Sequence, residues 1–89
     1  MNNIITYELM IRNNCPFCHK VINAINRQGI QSQIVVTYLE KDLAKAAFHF
    51  ETTKRNTVPC LYIKGKPMFE SDDIIKYFEK NLTPSKNGN

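Results

Sequence analysis

The hydrophobic pattern switches repeatedly between strand spacing and helix spacing, and this alternation restricts the fold more than any other feature. Ile4 to Ile11 is rich in β-branched and apolar residues and predicts a strand. Polar Arg12, Asn13 and Asn14 interrupt it. Cys18, Val21, Ile22 and Ile25 then recur at i, i+3, i+4 and i+7, the spacing of a buried helix face. Pro16 suits the first turn of that helix, where its missing N–H costs nothing, and Gly29 is a natural stop. Gln33 to Tyr38, with Ile34-Val35-Val36 inside it, predicts a short buried strand. Leu43, Ala46, Ala47 and Phe50 repeat the helical spacing and predict a second helix over Glu40 to Thr53. Cys60 to Lys64 predicts a strand, Gly65-Lys66 a tight turn and Met68-Phe69-Glu70 a short returning strand. Ser71 is placed to cap a last helix, with Asp72 and Asp73 in its first turn and Lys80 in its last. Ile74, Ile75, Phe78 and Leu82 supply its apolar stripe.

The element order is therefore β-α-β-α-β-β-α. Two strands joined through a helix should be parallel, linked by a right-handed crossover, and the last two strands form an antiparallel hairpin. The fold class implied is α/β, a four-stranded mixed sheet flanked by three helices on its two faces. With 89 residues the chain fits one domain, taken as residues 1–82, with a tail from Thr83 to Asn89 that is expected to fray.

Composition narrows the class further. Hydrophobic residues are 43% and charged residues 22%, ordinary globular values that exclude bulk disorder. The apolar runs are far shorter than the ~20 residues of a membrane-spanning helix, so no membrane association is expected. The net charge is +4, but the lysines are scattered and do not interleave with aromatics, so nucleic acid is not an expected partner. The mild positive field favours small anions or acidic proteins. Three cysteines are too few for a secreted disulfide scaffold, and the N-terminus does not read as a secretory signal. A cytoplasmic monomer is expected, and in a reducing compartment a cysteine pair points to catalysis or metal binding.

The chemistry concentrates at Cys15-Pro16-Phe17-Cys18, where a strand runs into a helix. Thiolate is the reactive form of cysteine, and the free N–H groups and partial positive charge of a helix N-terminus stabilise it. Cys15, at the exposed tip, is the candidate nucleophile, and Cys18, one turn further in, is the candidate resolving thiol. Lys20 stands where it could add positive charge nearby. The string continues into His19 and so also matches the c-type haem attachment pattern, a reading that needs export and a distal axial ligand. A closed zinc site would need four ligands from Cys15, Cys18, Cys60 and a histidine, without a second paired spacing. No metal is expected. Cys60 reads as a small buried strand residue, His19 as solvent-facing, and His49 is assigned no role.

Cys15-Pro16-Phe17-Cys18, Thr57-Val58-Pro59 and Ser71-Asp72-Asp73, in this order and spacing, resemble the glutaredoxin family of the thioredoxin-like superfamily. The resemblance runs from about Ile4 to Leu82. It implies a cis peptide bond before Pro59, which would turn the Val58 backbone toward Cys15 so that glutathione could pair with it as an extended strand. It implies that Arg12 and Arg55 could bind the glycyl carboxylate, and arginine's planar fork suits that task. The start of the last helix, with the Ser71 hydroxyl, would hold the γ-glutamyl carboxylate, Asp72 its ammonium, and Phe17 would pack beside the ligand. Thr57, Val58 and Pro59 complete the implied glutathione site. Phe69 and Glu70 stand where many glutaredoxins have two glycines. Glu70-Ser71 instead resembles the Glu-Ser pair in the glutathione-binding half of glutathione transferases, whose second, helical domain would not fit into this length.

The activity implied is glutathione-dependent thiol–disulfide oxidoreduction, acting on protein disulfides and glutathione mixed disulfides, with glutathione as reducing co-substrate. The resemblance also implies electron delivery to proteins such as ribonucleotide reductase. Two rival readings use the same residues. One is a thioredoxin-like disulfide reductase that does not use glutathione. The other is a glutathione-ligated iron–sulfur cluster bridging two chains through Cys15.

Overall fold

The structure is a computed structural model that describes residues 7–84. Residues 4–6 of the expected first strand, and residues 85–89 of the expected tail, lie outside the described residues. The elements are β1 (Tyr7–Ile11), α1 (Pro16–Gln28), β2 (Ile34–Tyr38), α2 (Leu43–Thr53), β3 (Cys60–Ile63), β4 (Lys66–Phe69) and α3 (Ser71–Asn81), with a 3-10 turn at Gln31–Gln33. The sheet order is β2-β1-β3-β4. β1 pairs in parallel with β2 and antiparallel with β3, and β3 pairs antiparallel with β4. This is the α/β arrangement expected, a thioredoxin-like fold with four strands and three helices.

Side-chain alternation in β1 and β3 sends residues to two different cores. Leu9, Ile11 and Leu61 face a core shared with Val21 and Ile25 of α1 and Ile74 and Phe78 of α3. Met10, Cys60 and Tyr62 face the other side, where Leu39 and the half-buried Ala46 of α2 cover them. α1 ends as expected, with Gly29 in the left-handed conformation at φ 70° and its N–H returning to the carbonyls of Ile25 and Asn26.

Several expectations need correction. α2 forms, but its Leu43, Ala47 and Phe50 are exposed, and the residue it buries is His49. Of the expected stripe only Ala46 is half-buried against the sheet; its large residues face solvent. α2 also begins later than Glu40, because the Asp42 carboxylate accepts the Lys45 N–H at 3.1 Å and caps it. Val35 is exposed rather than buried, because beside it the second face of the sheet turns polar. There the Glu8 carboxylate accepts from the Thr37 hydroxyl at 2.6 Å and from the Lys45 ammonium at 3.0 Å. The hairpin turns one residue earlier than expected, at Lys64-Gly65, with φ 52° and 83°, and β4 starts at Lys66. Glu70, not Ser71, is the residue flanking α3. The Thr83 carbonyl accepts from Gln33 Nε2 at 2.7 Å, so the start of the expected tail is tied down.

Candidate functional site

β1 ends at Ile11, and the loop that follows delivers Cys15 to the C-terminal edge of the two parallel strands, where α/β sheets bind ligands. That loop is braced. The Asn13 N–H donates to Glu40 Oε2 at 2.9 Å, and His19 Nε2 donates to the Asn13 carbonyl at 2.8 Å. The Asn13 N–H is the main cause that lowers the Glu40 pKa, and the charge of Arg12 adds to it.

Cys15 occupies the N-cap of α1 in extended backbone, and its sulfur accepts the Cys18 N–H at 3.1 Å. A sulfur therefore takes the place of the usual capping oxygen, where the free helical N–H groups converge. The two cysteines are joined as a disulfide with their Cα atoms 5.1 Å apart. Cys15 is half-buried, whereas Cys18 is fully buried. A substrate can reach Cys15 first.

Beside this helix start lies a cleft of about 240 Å³, lined by Phe17, Thr57, Val58, Pro59, Glu70, Ser71 and Asp72. The Val58–Pro59 peptide bond is cis. Phe17 is 63% exposed, leaving its ring free to cover a ligand. Ser71 is buried at the start of α3. Six residues expected around a ligand thus come together, and Glu70 joins them. Arg12 and Arg55 do not line the cleft. Arg12 lies near Glu40, and the Arg55 guanidinium stacks on the Phe69 ring at 4.3 Å from its centroid. Lys20 reaches Asp72 across the gap between α1 and α3, at 2.6 Å, and this ammonium is the main cause that lowers the Asp72 pKa.

Glu70 has φ 77° and ψ 112°, backbone that glycine adopts without cost and other residues rarely adopt. The chain keeps a glycine-like path here while carrying a side chain. Glu70→Gly is expected to stabilise the fold by roughly 0.5–1 kcal/mol, the strain relieved less the extra chain entropy of glycine. Urea unfolding of the two proteins measures it, and a less stable Glu70→Gly protein would contradict the strain argument.

His49 has more structure around it than its place in the sequence suggests. It is fully buried and bonds through both ring nitrogens, Nδ1 to the Tyr62 hydroxyl and Nε2 to the Thr57 carbonyl, each at 2.8 Å. The signal that could have found it is a second stripe on α2. Asp42, Ala46, His49 and Thr53 follow helical spacing, and none of them is exposed. His19 is exposed, as expected.

Cys60 is fully buried beside Pro59, and burial pushes its thiol up to about 11. At pH 8 only roughly a thousandth of such a thiol is ionised. After reduction, native protein treated with iodoacetamide should be alkylated at Cys15 and spared at Cys60, as peptide mass mapping would show. Equal labelling of Cys15 and Cys60 would contradict the contrast in access and ionisation.

Among the described residues, no group of three or more His, Cys, Asp or Glu side chains is placed to hold a metal ion, and no helix is long and apolar enough to cross a membrane.

The family described as glutathione S-transferase, N-terminal domain, matches residues 9–86. The chain belongs to this family. Its Glu70-Ser71 pair is the feature that already resembled glutathione transferases. Among curated relatives of this glutathione S-transferase family, glutathione S-transferase L1 of Arabidopsis thaliana is 33% identical over 77 residues, covering 86% of this chain and 32% of that protein. The chain thus spans about a third of the length of the relative it matches. Solved glutaredoxins share the fold of this family member. Oxidized glutaredoxin 2 from Chlamydomonas reinhardtii aligns with TM-score 0.62 and 24% identity, over 85% of this chain and 73% of that one. The buckwheat glutaredoxin–glutathione complex aligns with TM-score 0.65 and 19% identity, over 85% and 70% of the two chains. The resemblance to glutaredoxins holds for the fold, while the sequence match is to the N-terminal domain of the transferases.

Proposed function

We propose that this domain is a glutathione-dependent thiol–disulfide oxidoreductase with Cys15 as its nucleophile. The observation that carries the reading is the placement of Cys15 as N-cap of α1, its sulfur on the Cys18 N–H, next to a cleft that Phe17, Val58, cis-Pro59 and Ser71 line. In the reduced protein the Cys15 thiolate attacks the glutathione sulfur of a mixed disulfide. A Cys15–glutathione disulfide forms, and the substrate thiolate leaves and takes up a proton. A second glutathione thiolate attacks the glutathione sulfur of that adduct, releasing oxidised glutathione and restoring the Cys15 thiolate. With a protein disulfide, Cys15 attacks one substrate sulfur to form a mixed disulfide and free the other as a thiolate. Cys18 then attacks the Cys15 sulfur, releasing the second substrate thiolate and closing the Cys15–Cys18 disulfide, which two glutathione molecules reopen as they become oxidised glutathione. Glutaredoxin potentials of about −200 to −230 mV lie near the cytosolic glutathione poise, so such a cycle is feasible in the cytoplasm.

The cleft suits glutathione as an extended tripeptide. The Val58 backbone offers strand-like pairing, and Ser71 with the first N–H groups of α3 offers a carboxylate site. Asp72 can take the ammonium once Lys20 yields it. A glutathione complex of a similarly folded glutaredoxin and the transferase relatives support the ligand class. Arg12 and Arg55 are proposed only as groups that a bound glycyl carboxylate could draw in. The test is turnover of a glutathione mixed disulfide coupled to glutathione reductase and NADPH. Steady NADPH consumption that depends on this protein is expected. No consumption above the protein-free rate would overturn the reading.

A further inference from the structure

His49 lies outside the cleft, yet it holds one of the cleft's peptide units. The Thr57 carbonyl can only accept a hydrogen bond, so the proton at 2.8 Å must sit on His49 Nε2. Nδ1 lies 2.8 Å from the Tyr62 hydroxyl, its other hydrogen-bond partner. The ring therefore has a partner on each nitrogen and no exposed surface.

The consequence follows from peptide geometry. The Thr57–Val58 bond is trans, and a planar trans peptide points its C=O and N–H in opposite directions. The carbonyl points back to buried His49, so the Val58 N–H points away from it, and Thr57, Val58 and Pro59 are among the residues that line the cleft. That N–H has no acceptor among the described residues. The anchor itself is braced, since the Thr53 hydroxyl bonds the His49 carbonyl at 2.9 Å and accepts the Arg55 N–H at 3.1 Å.

We propose that His49 is a positioning residue that fixes the Thr57–Val58 peptide with its N–H presented to the cleft, ready to pair with a bound peptide-like ligand. The inference rests on the reading above only for the identity of that ligand, glutathione.

Two substitutions separate positioning from bulk packing. In His49→Gln the side-chain amide falls near the position of Nε2 and can still donate to the Thr57 carbonyl. In His49→Asn it falls near Nδ1, facing Tyr62, and the Thr57 carbonyl loses its donor. In the coupled assay His49→Asn is expected to raise KM for the glutathione mixed disulfide roughly tenfold, the scale of one lost ligand hydrogen bond, with kcat little changed. His49→Gln is expected to restore KM to near the wild-type value. Equal impairment of both variants, or an unchanged KM in His49→Asn, would overturn the proposal. A measurement on the ligand-free wild type needs neither variant to fold: a through-hydrogen-bond NMR coupling from His49 Nε2 to the Thr57 carbonyl carbon. The coupling is expected, and its absence overturns the proposal even if the variants are unstable. A wild type that does not turn over glutathione would defeat the glutathione reading alone, and the coupling would still decide the role of His49.

Discussion

Cys15→Ser is expected to bring turnover of a glutathione mixed disulfide down to background, a loss of roughly a thousandfold or more, because a hydroxyl cannot replace a thiolate nucleophile. Cys18→Ser is expected to retain a large part of the activity. The difference follows from position. Cys15 is half-buried at the end of α1 that carries the partial positive charge, and Cys18 is fully buried one turn inside. A route through a Cys15–glutathione adduct needs only Cys15, whereas reduction of a protein disulfide through the dithiol needs both. The substitution at Cys15 also leaves the fold intact, since serine is a preferred N-cap and its oxygen can accept the Cys18 N–H that the sulfur accepts now. The Cys15→Ser protein should therefore unfold at or above the urea concentration of the reduced wild type. Loss of activity together with loss of structure would leave the nucleophile unassigned. Activity lost in Cys18→Ser and kept in Cys15→Ser would reverse the roles.

The element order was legible because β-branched runs and 3.6-residue stripes alternate cleanly. The cleft was legible because its parts sit at backbone features that sequence marks strongly: a cysteine before a proline at a helix start, a Val-Pro bond, and a serine before two aspartates. Long charged side chains were harder. Arg55 is placed by the distant Phe69 ring and Arg12 lies near Glu40, and no local spacing announces such neighbours. α2 carried the most misleading pattern. Its large apolar residues Leu43, Phe48 and Phe50 are exposed, while the side facing β3 carries Ala46 and His49. The surface opposite that helix is partly polar, with Tyr62 offering a hydroxyl, so a histidine satisfied at both nitrogens suits it better than a leucine. Glu70 could be flagged from sequence as a residue standing at a glycine position, but only the backbone shows that the glycine-like φ is kept.

Two phenylalanines on different helices make the same point measurable. Phe78 has no exposed surface and packs among Leu9, Ile25, Leu61 and Ile74 at the junction of α3 with the sheet and α1. Phe78→Ala is expected to cost about 3–5 kcal/mol, lost burial plus the cavity left behind. For a chain of this size that is a large share of a total near 5–10 kcal/mol, and it should lower the urea midpoint by about 2 M or more. Phe50 is 45% exposed on α2, and Phe50→Ala is expected to change stability by about 0.5 kcal/mol or less, because alanine also favours the helix. The sites also differ in what they support. α3 begins at Ser71 and its first turn forms one wall of the cleft, so loosening its buried anchor should raise KM for the glutathione mixed disulfide below the unfolding transition. Phe50 is not among the residues lining the cleft, and its removal should leave KM unchanged. Comparable destabilisation by the two changes would mean that the second helix buries the face its apolar stripe suggests, and the placement of His49 against Thr57 would then be wrong as well.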